Sequence, residues 1–255
     1  MHIESKNIFH DFSTESGDLP VLRDLSFSVA KGAFIALVGP SGCGKSTITK
    51  LLSGLLQPKK GEVLISGEKV INPRSSIGMA FQNPVLLEWR NVLDNITLPL
   101  EIVAKSSSVG KRKARARELL KLVGLTEFET SKPSELSGGM KQRVSLCRSL
   151  VHKPELLILD EPFGALDAFT KEDLWQTMHQ LKREENFTCI LITHDLREAV
   201  FLADEIIVLT GRPAKVQYKL EVALGKHRKI EDLYSTKTAK TIAMLRKQIE
   251  IGQAR

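Results

Sequence analysis

The sequence predicts an α/β fold in which a parallel-sheet core carries a β-rich N-terminal part and an inserted helical block. Three observations predict it. Residues 34–38, 156–159 and 189–192 are apolar throughout, as strands buried on both faces are. Helical stretches separate those runs, the order expected of a parallel sheet flanked by helices. Between about residues 83 and 154 the strand pattern gives way to charge-rich helical periodicity, which marks an insertion.

Each element follows in chain order. Residues 25–29 alternate apolar and polar, as a strand with one wet face does. The 34–38 strand runs into a glycine-rich segment and then a helix over 46–56, closing near Gly54 and Pro58. A short strand at 63–65 ends in the turn Ser66-Gly67-Glu68. Inside the inserted block, 105–110 reads as a polar loop and 112–123 alternates charged and apolar residues at helical spacing. After the 156–159 strand comes a helix with Leu174, Met178 and Leu181 on one face, then the 189–192 strand. Residues 211–255 read as a basic tail ending in a helix from about Thr236.

Composition narrows the class. A chain of 255 residues with 42% hydrophobic and 26% charged residues is an ordinary globular protein rather than a disordered one. Only 5% is aromatic, which leaves few platforms for stacking single-stranded nucleic acid. The net charge of +7 suits an anionic partner, whether nucleotide phosphate, acidic lipid or nucleic acid, without choosing among them. Cys43, Cys147 and Cys189 are scattered and fit neither a disulfide scaffold nor a zinc site. The first six residues are too polar for a secretory signal, and no apolar run approaches the roughly 18 residues that span a bilayer. Any membrane role is expected to be peripheral.

Residues Gly39-Pro40-Ser41-Gly42-Cys43-Gly44-Lys45-Ser46, followed by Thr47, match GxxxxGK[ST]. The glycines let the backbone curl so that successive N–H groups face the β- and γ-phosphates of a nucleotide. The helix that follows adds its positive end, Lys45 a full charge, and the Ser46 hydroxyl a hard oxygen ligand for Mg²⁺. A buried strand before it and a helix after it are the context this loop requires. The 156–159 strand delivers Asp160 and Glu161 to its C-terminal edge. One carboxylate can hold Mg²⁺ while the next orients and deprotonates an attacking water. Leu136-Ser137-Gly138-Gly139-Met140-Lys141-Gln142-Arg143 then opens a helix, with Ser137 as N-cap and glycines that leave the backbone N–H groups bare. That is a second anion-binding helix end. It makes sense if it serves the nucleotide held by another copy of the chain.

In this order the motifs resemble the ABC ATPase family over roughly residues 1–210. The resemblance runs through the phosphate loop at 39–47, Gln82, the LSGG signature at 136–139, Asp160-Glu161, Ala165-Leu166-Asp167, and His194. It implies a P-loop NTPase, RecA-like core (1–82 and 155–210) with an N-terminal antiparallel β subdomain. It also implies a helical subdomain at 83–154 carrying the signature, the whole forming one ATPase domain over 1–230. Two copies would pack head to tail with ATP and Mg²⁺ at the interface. Glu161 is then the catalytic base, and His194 the switch residue at the γ-phosphate. Lys45 and the rest of the loop bind phosphate, and Ser137, Gly138 and Gly139 face the nucleotide of the opposite subunit. Ser46 and Asp160 attend the metal, and Lys45 counts among the catalytic residues too. Gln82 touches the metal or the attacking water as a catalytic residue and also faces the membrane partner. Asp167 lies in the stretch that crosses the dimer interface. Phe12, where tyrosine is more usual, occupies the place of the residue that stacks on adenine.

Residues 81–89 and 92–100, with Asp160-Glu161-Pro162-Phe163-Gly164-Ala165-Leu166-Asp167, resemble importers of the nitrate/sulfonate/taurine class, although Glu88 replaces a usual proline. This implies permease subunits docking near residues 82–89, an external solute-binding protein, and a place at the cytoplasmic face of the membrane. The plainer reading of Leu86, Leu87 and Trp89 is core filling. The basic run 111–117 reads either as an anionic-partner face or as a solvated helix face, and no nucleic-acid partner is expected. The rival function is a non-transport ABC ATPase acting on nucleic acid or ribosomes. A small-molecule kinase would have no use for the signature.

Overall fold

The computed structural model describes residues 1–15, 17–103, 108–225 and 228–253. Along the chain run β1 (Ile3–Thr14), β2 (Gly17–Val29), β3 (Phe34–Val38), α1 (Lys45–Leu52), β4 (Lys60–Ile65), β5 (Glu68–Lys69) and β6 (Ile77–Phe81). There follow α2 (Val92–Val103), α3 (Val109–Leu122), α4 (Gly138–Leu150), β7 (Leu156–Asp160), α5 (Ala168–Glu185) and β8 (Thr188–Thr193). The chain closes with α6 (Leu196–Leu202), β9 (Glu205–Leu209), β10 (Val216–Glu221) and α7 (Thr236–Gln253). Two compact units result, residues 1–74 with 188–255 and residues 75–187. The helical block expected at 83–154 lies wholly within the second. Among the described residues no helix is long and apolar enough to cross a membrane.

In the first unit β1 pairs antiparallel with β2 and β4, giving the order β2-β1-β4-β5. A second sheet runs β10-β9-β3-β8, in which β9, β3 and β8 are parallel and β10 is antiparallel to β9. All five residues of β3 and all six of β8 are buried, which explains their unbroken apolar sequence. The segment after residue 210 extends this sheet through β10 and then packs α7 against α6 and β9. Helix α1 stops at Leu52, short of the expected 56. Gly54 takes φ +78°, and a Cβ there would stand 2.3 Å from the Asn72 carbonyl oxygen, so the chain must turn on glycine.

In the second unit β6 and β7 are parallel, and α2, α3 and α5 all pack on α4. Leu174, Met178 and Leu181 of α5 are fully buried, as their spacing predicts. Ser108 caps α3 by accepting the Lys111 N–H, so the expected polar loop shortens from its C-terminal side; residues 105–107 lie outside the described residues. The basic run is largely neutralised in place. Arg115 grips Glu185 at the end of α5, Arg117 pairs with Glu129, and Lys113 lies 3.8 Å from Asp94. That arrangement favours a solvated helix face over an anion-binding one.

Candidate functional site

Strand register builds the site. In the first unit Val38 of β3 pairs with Thr193 of β8, so the next residues, Gly39 and His194, leave the C-terminal sheet edge as neighbours. The phosphate loop thus starts beside the histidine, although 155 positions separate them in sequence. Within the loop Gly42 and Gly44 have φ +73° and +114°, values that L side chains rarely adopt. A Cβ on Gly44 would also approach Val21 Cγ1 to 2.7 Å, so this glycine answers to packing as well as to phosphate. Lys45 is buried and its Nζ donates to the carbonyls of Gly39 and Pro40, both at 2.9 Å. The ammonium group is therefore held over the loop by the loop's own carbonyls. Pro40 is half-buried, Ser41 and Ser46 are exposed, and Thr47 is buried in the first turn of α1. Burial pushes the Cys43 thiol above its ordinary range, partly offset by Lys45, which makes it a packing group rather than a nucleophile.

Phe12, on β1, keeps 38% of its surface exposed and meets His10 edge to face, with ring centroids 4.8 Å apart. Its residual exposure is what stacking on a flat ring requires.

In the second unit Phe81 of β6 pairs with Asp160 of β7, which places Gln82 beside Glu161 at the same sheet edge. Glu161 takes a left-handed backbone, φ 50°, and this breaks the alternation of the strand. Such a break lets two adjacent carboxylates leave one edge together. The Gln82 amide lies over Gly164, where a Cβ would stand 3.1 Å from Nε2. Gln82 and Glu161 therefore leave the edge side by side, next to Asp160, with both carboxylates half-buried.

The signature forms the start of α4. Ser137 is its N-cap and accepts the Met140 N–H at 3.3 Å. Gly138 is exposed, and a Cβ on Gly139 would come within 2.6 Å of the Thr170 methyl group at the start of α5. The second signature glycine thus permits two helix starts to approach each other. Asp167 caps α5, accepting from the Thr170 N–H at 3.1 Å and hydroxyl at 2.6 Å, which hold its carboxyl below the usual range.

The structure also supplies residues that the sequence did not single out. Buried Gln142 donates to the Phe81 carbonyl at 3.1 Å, tying α4 to the strand that ends at Gln82. Arg148 donates to the carbonyls of Pro84 and Val85. Asn95 is buried and clamps the same loop, accepting the Leu87 N–H at 2.8 Å and donating to the carbonyls of Leu87, Arg90 and Asn91. Held this way, the loop leaves Phe81, Val85 and Trp89 at 41, 65 and 74% exposure. Trp89 is not a core residue; Leu86 and Leu87 are half-buried. The only signal in the sequence was the position of Gln142 inside the signature.

Comparison with known proteins gives one answer. The family described as ABC transporter matches residues 22–164. The chain is 42% identical over 221 residues to a nitrate import ATP-binding protein of Synechococcus elongatus, covering 86% of this chain and 81% of that one. It is 43% identical over 206 residues to a taurine import ATP-binding protein of Pseudomonas aeruginosa, covering 81% and 78%. Among solved structures, an ATP-binding cassette captured as a dimer in a post-hydrolysis state with ADP and Pi superposes with a TM-score of 0.76. That match is at 30% identity and covers 88% of this chain and all of the other.

Proposed function

The chain belongs to the ABC transporter family, and from that premise we propose that it is the ATP-hydrolysing, energy-coupling subunit of an importer for a small anionic or related solute. One observation carries the chemistry: parallel strand register gathers the phosphate loop with His194, and Gln82 with Asp160 and Glu161. Relatives named for nitrate, taurine and bicarbonate import supply the direction and the class of cargo.

Lys45 and N–H groups of the loop bind the β- and γ-phosphates. Ser46, Gln82 and Asp160 offer a hydroxyl, an amide oxygen and a carboxylate. This all-oxygen donor set suits Mg²⁺; these residues would hold the ion, which would supply charge neutralisation at the phosphoryl group. Glu161 accepts the proton of the attacking water, His194 contacts the γ-phosphate, and Phe12 stacks on adenine. The nucleotide-binding core comprises residues 1–82 and 155–210, and 83–154 is the subdomain that presents the signature. A second copy packs head to tail, so that Ser137, Gly138 and Gly139 close over the nucleotide of its partner. ATP drives closure because it binds the closed dimer more tightly than the open one, and hydrolysis releases it.

Membrane-spanning permease subunits dock on the loop that exposes Val85 and Trp89, with an external solute-binding protein completing the assembly. A cavity of about 290 Å³ lined by Leu98, Ile102, Arg148 and His152 lies in the same unit and can seat an apolar side chain of a permease helix. The chain then works at the cytoplasmic face of the membrane as a peripheral subunit.

Steady-state ATPase assays test the core of this. Lys45→Ala should bind nucleotide poorly and turn over on the order of a thousandfold more slowly, because it removes the charge held over the loop. Full activity in that variant would contradict the phosphate-loop assignment. Import is tested separately, by uptake of nitrate, taurine and bicarbonate in cells lacking this subunit.

A further inference from the structure

We propose that His10 is the positioning residue of the base platform: its neutral ring holds Phe12 in place for adenine, and its protonated ring does not. The inference rests on the reading of Phe12 given above. It makes affinity for the nucleotide fall with acid through the base, leaving the phosphate loop as it is. His10 and Phe12 stand two residues apart on β1 and share a face of it, with ring centroids 4.8 Å apart and planes at 78°. Phe12 keeps 38% of its surface exposed, whereas His10 keeps 6%. One ring is thus presented outward while the other backs it from inside the fold. On β2, Leu22 pairs with His10, and its Cδ2 would lie 3.2 Å from a Cβ on Gly44. His10 therefore adjoins both Phe12 and the strand that packs on the phosphate loop.

Both ring nitrogens of His10 are buried, and neither has a hydrogen-bond partner. The Gln57 carbonyl lies near the ring without reaching hydrogen-bond geometry. Unbonded nitrogens are costly to bury, and phenylalanine would back Phe12 without that cost. What histidine adds over phenylalanine is a proton. A neutral imidazole hides one N–H and one lone pair; an imidazolium must hide a charge and two donors with no acceptor to meet them. Burial, and after it the Lys59 ammonium, pull the ring below its ordinary range, with Asp11 acting in the opposite sense. Asp11 is itself paired with Arg23 of β2, and Lys59 lies 4.0 Å from Asp11 and 3.8 Å from Asp18. Lys60 of β4 pairs with Phe9 and so belongs to the other face of β1. The packed ring is therefore the neutral one. Its contribution to stability is complete above about pH 6.5 and is lost as pH falls from there, because a displaced ring takes up the proton that the packed ring refuses. The support behind Phe12 then gives way.

The test uses the full-length chain with ADP and with tripolyphosphate, which offers phosphates but no base. Isothermal titration calorimetry in Mg²⁺ measures both at pH 7.5 and pH 5, on either side of the ordinary histidine value. The ADP dissociation constant of the parent should rise with acid roughly three- to tenfold more than that of His10→Phe, which keeps a ring and takes no proton. Tripolyphosphate should respond to acid equally in the two chains. Steady-state turnover should show the same split, in KM for ATP and not in kcat. His10→Leu fills the space without a ring and should bind ADP weakly at both pH values, as should Phe12→Ala. A parent and His10→Phe that respond alike overturn the inference. So does a difference that tripolyphosphate shares, since the loop would then be what moves. If Phe12→Ala weakens ADP and His10→Leu does not, the stacking reading stands and His10 has no part in it. Phe12→Ala that binds ADP as the parent does refutes the stacking reading itself, and the role of His10 with it. A parent that binds both ligands but hydrolyses no ATP refutes the ATPase reading alone, and the calorimetry still decides His10.

Discussion

Asn95 is the side chain whose loss should be felt furthest from its own position. Its amide satisfies backbone groups of Leu87, Arg90 and Asn91 at once, and each buried group left unsatisfied costs about 1–3 kcal/mol. Asn95→Ala should destabilise the chain by on the order of 3 kcal/mol, read as a lower urea midpoint. It should also open the loop at Val85–Trp89 to proteolysis before the rest unfolds. Cys147 makes a second prediction. Burial pushes its thiol up to about 12 from an ordinary 9.0, so the folded state holds the proton more tightly than the unfolded one. Its contribution is complete below about pH 9 and is lost at roughly 1.4 kcal/mol per unit as pH rises from there towards 12. Denaturant midpoints between pH 8 and 11 should fall more steeply in the parent chain than in Cys147→Ala. The phosphate loop was legible from sequence because each residue's task is local. Asn95 was not, since an amide's value depends on carbonyls that only the folded loop brings to it. The left-handed turn at Glu161 was invisible for a similar reason: nothing in the residue type demands it.

Among the elements, α6 depends most on a residue remote from it. The Arg228 side chain is 4% exposed and donates to carbonyls at the C-terminal end of α6 that no intrahelical N–H can reach. Burial pulls its guanidinium below its ordinary range, with Asp204 acting in the opposite sense. Arg228→Met keeps the stem and removes the donors, and should cost about 2–4 kcal/mol by urea unfolding, with Arg228→Lys recovering part of it. A variant as stable as the parent would show that water can replace the cap. Strands β3, β7 and β8 were readable because burial on both faces leaves an unbroken apolar run. Strand β6 was hidden by Gly78, which cannot be larger: a Cβ there would stand 2.2 Å from the Ser149 carbonyl oxygen. Strand β10 was hidden by charge, since Lys215, Lys219 and Glu221 sit among alternating Val216, Tyr218 and Leu220 and pull the segment's average towards that of a tail.

At the scale of the molecule, the predicted site residues divide between the two units. The phosphate loop and His194 belong to one; Gln82, Asp160, Glu161 and the signature belong to the other. Glu161→Gln should preserve ATP binding and closure while slowing turnover roughly 10²–10⁴-fold, the usual worth of a general base. Size-exclusion chromatography should then show a species of doubled mass with ATP and a single chain with ADP. Turnover equal to the parent would remove Glu161 from the chemistry. The chain's last turn has a practical corollary as well. The Gly211 N–H donates to the Gly252 carbonyl at 2.8 Å, and a Cβ on Gly252 would lie 3.2 Å from Thr210 Cα. A side chain is therefore unwelcome at Gly252 but not at Gly110 of α3, where a Cβ would meet nothing within 4 Å; a cysteine for attaching a dye belongs at the latter.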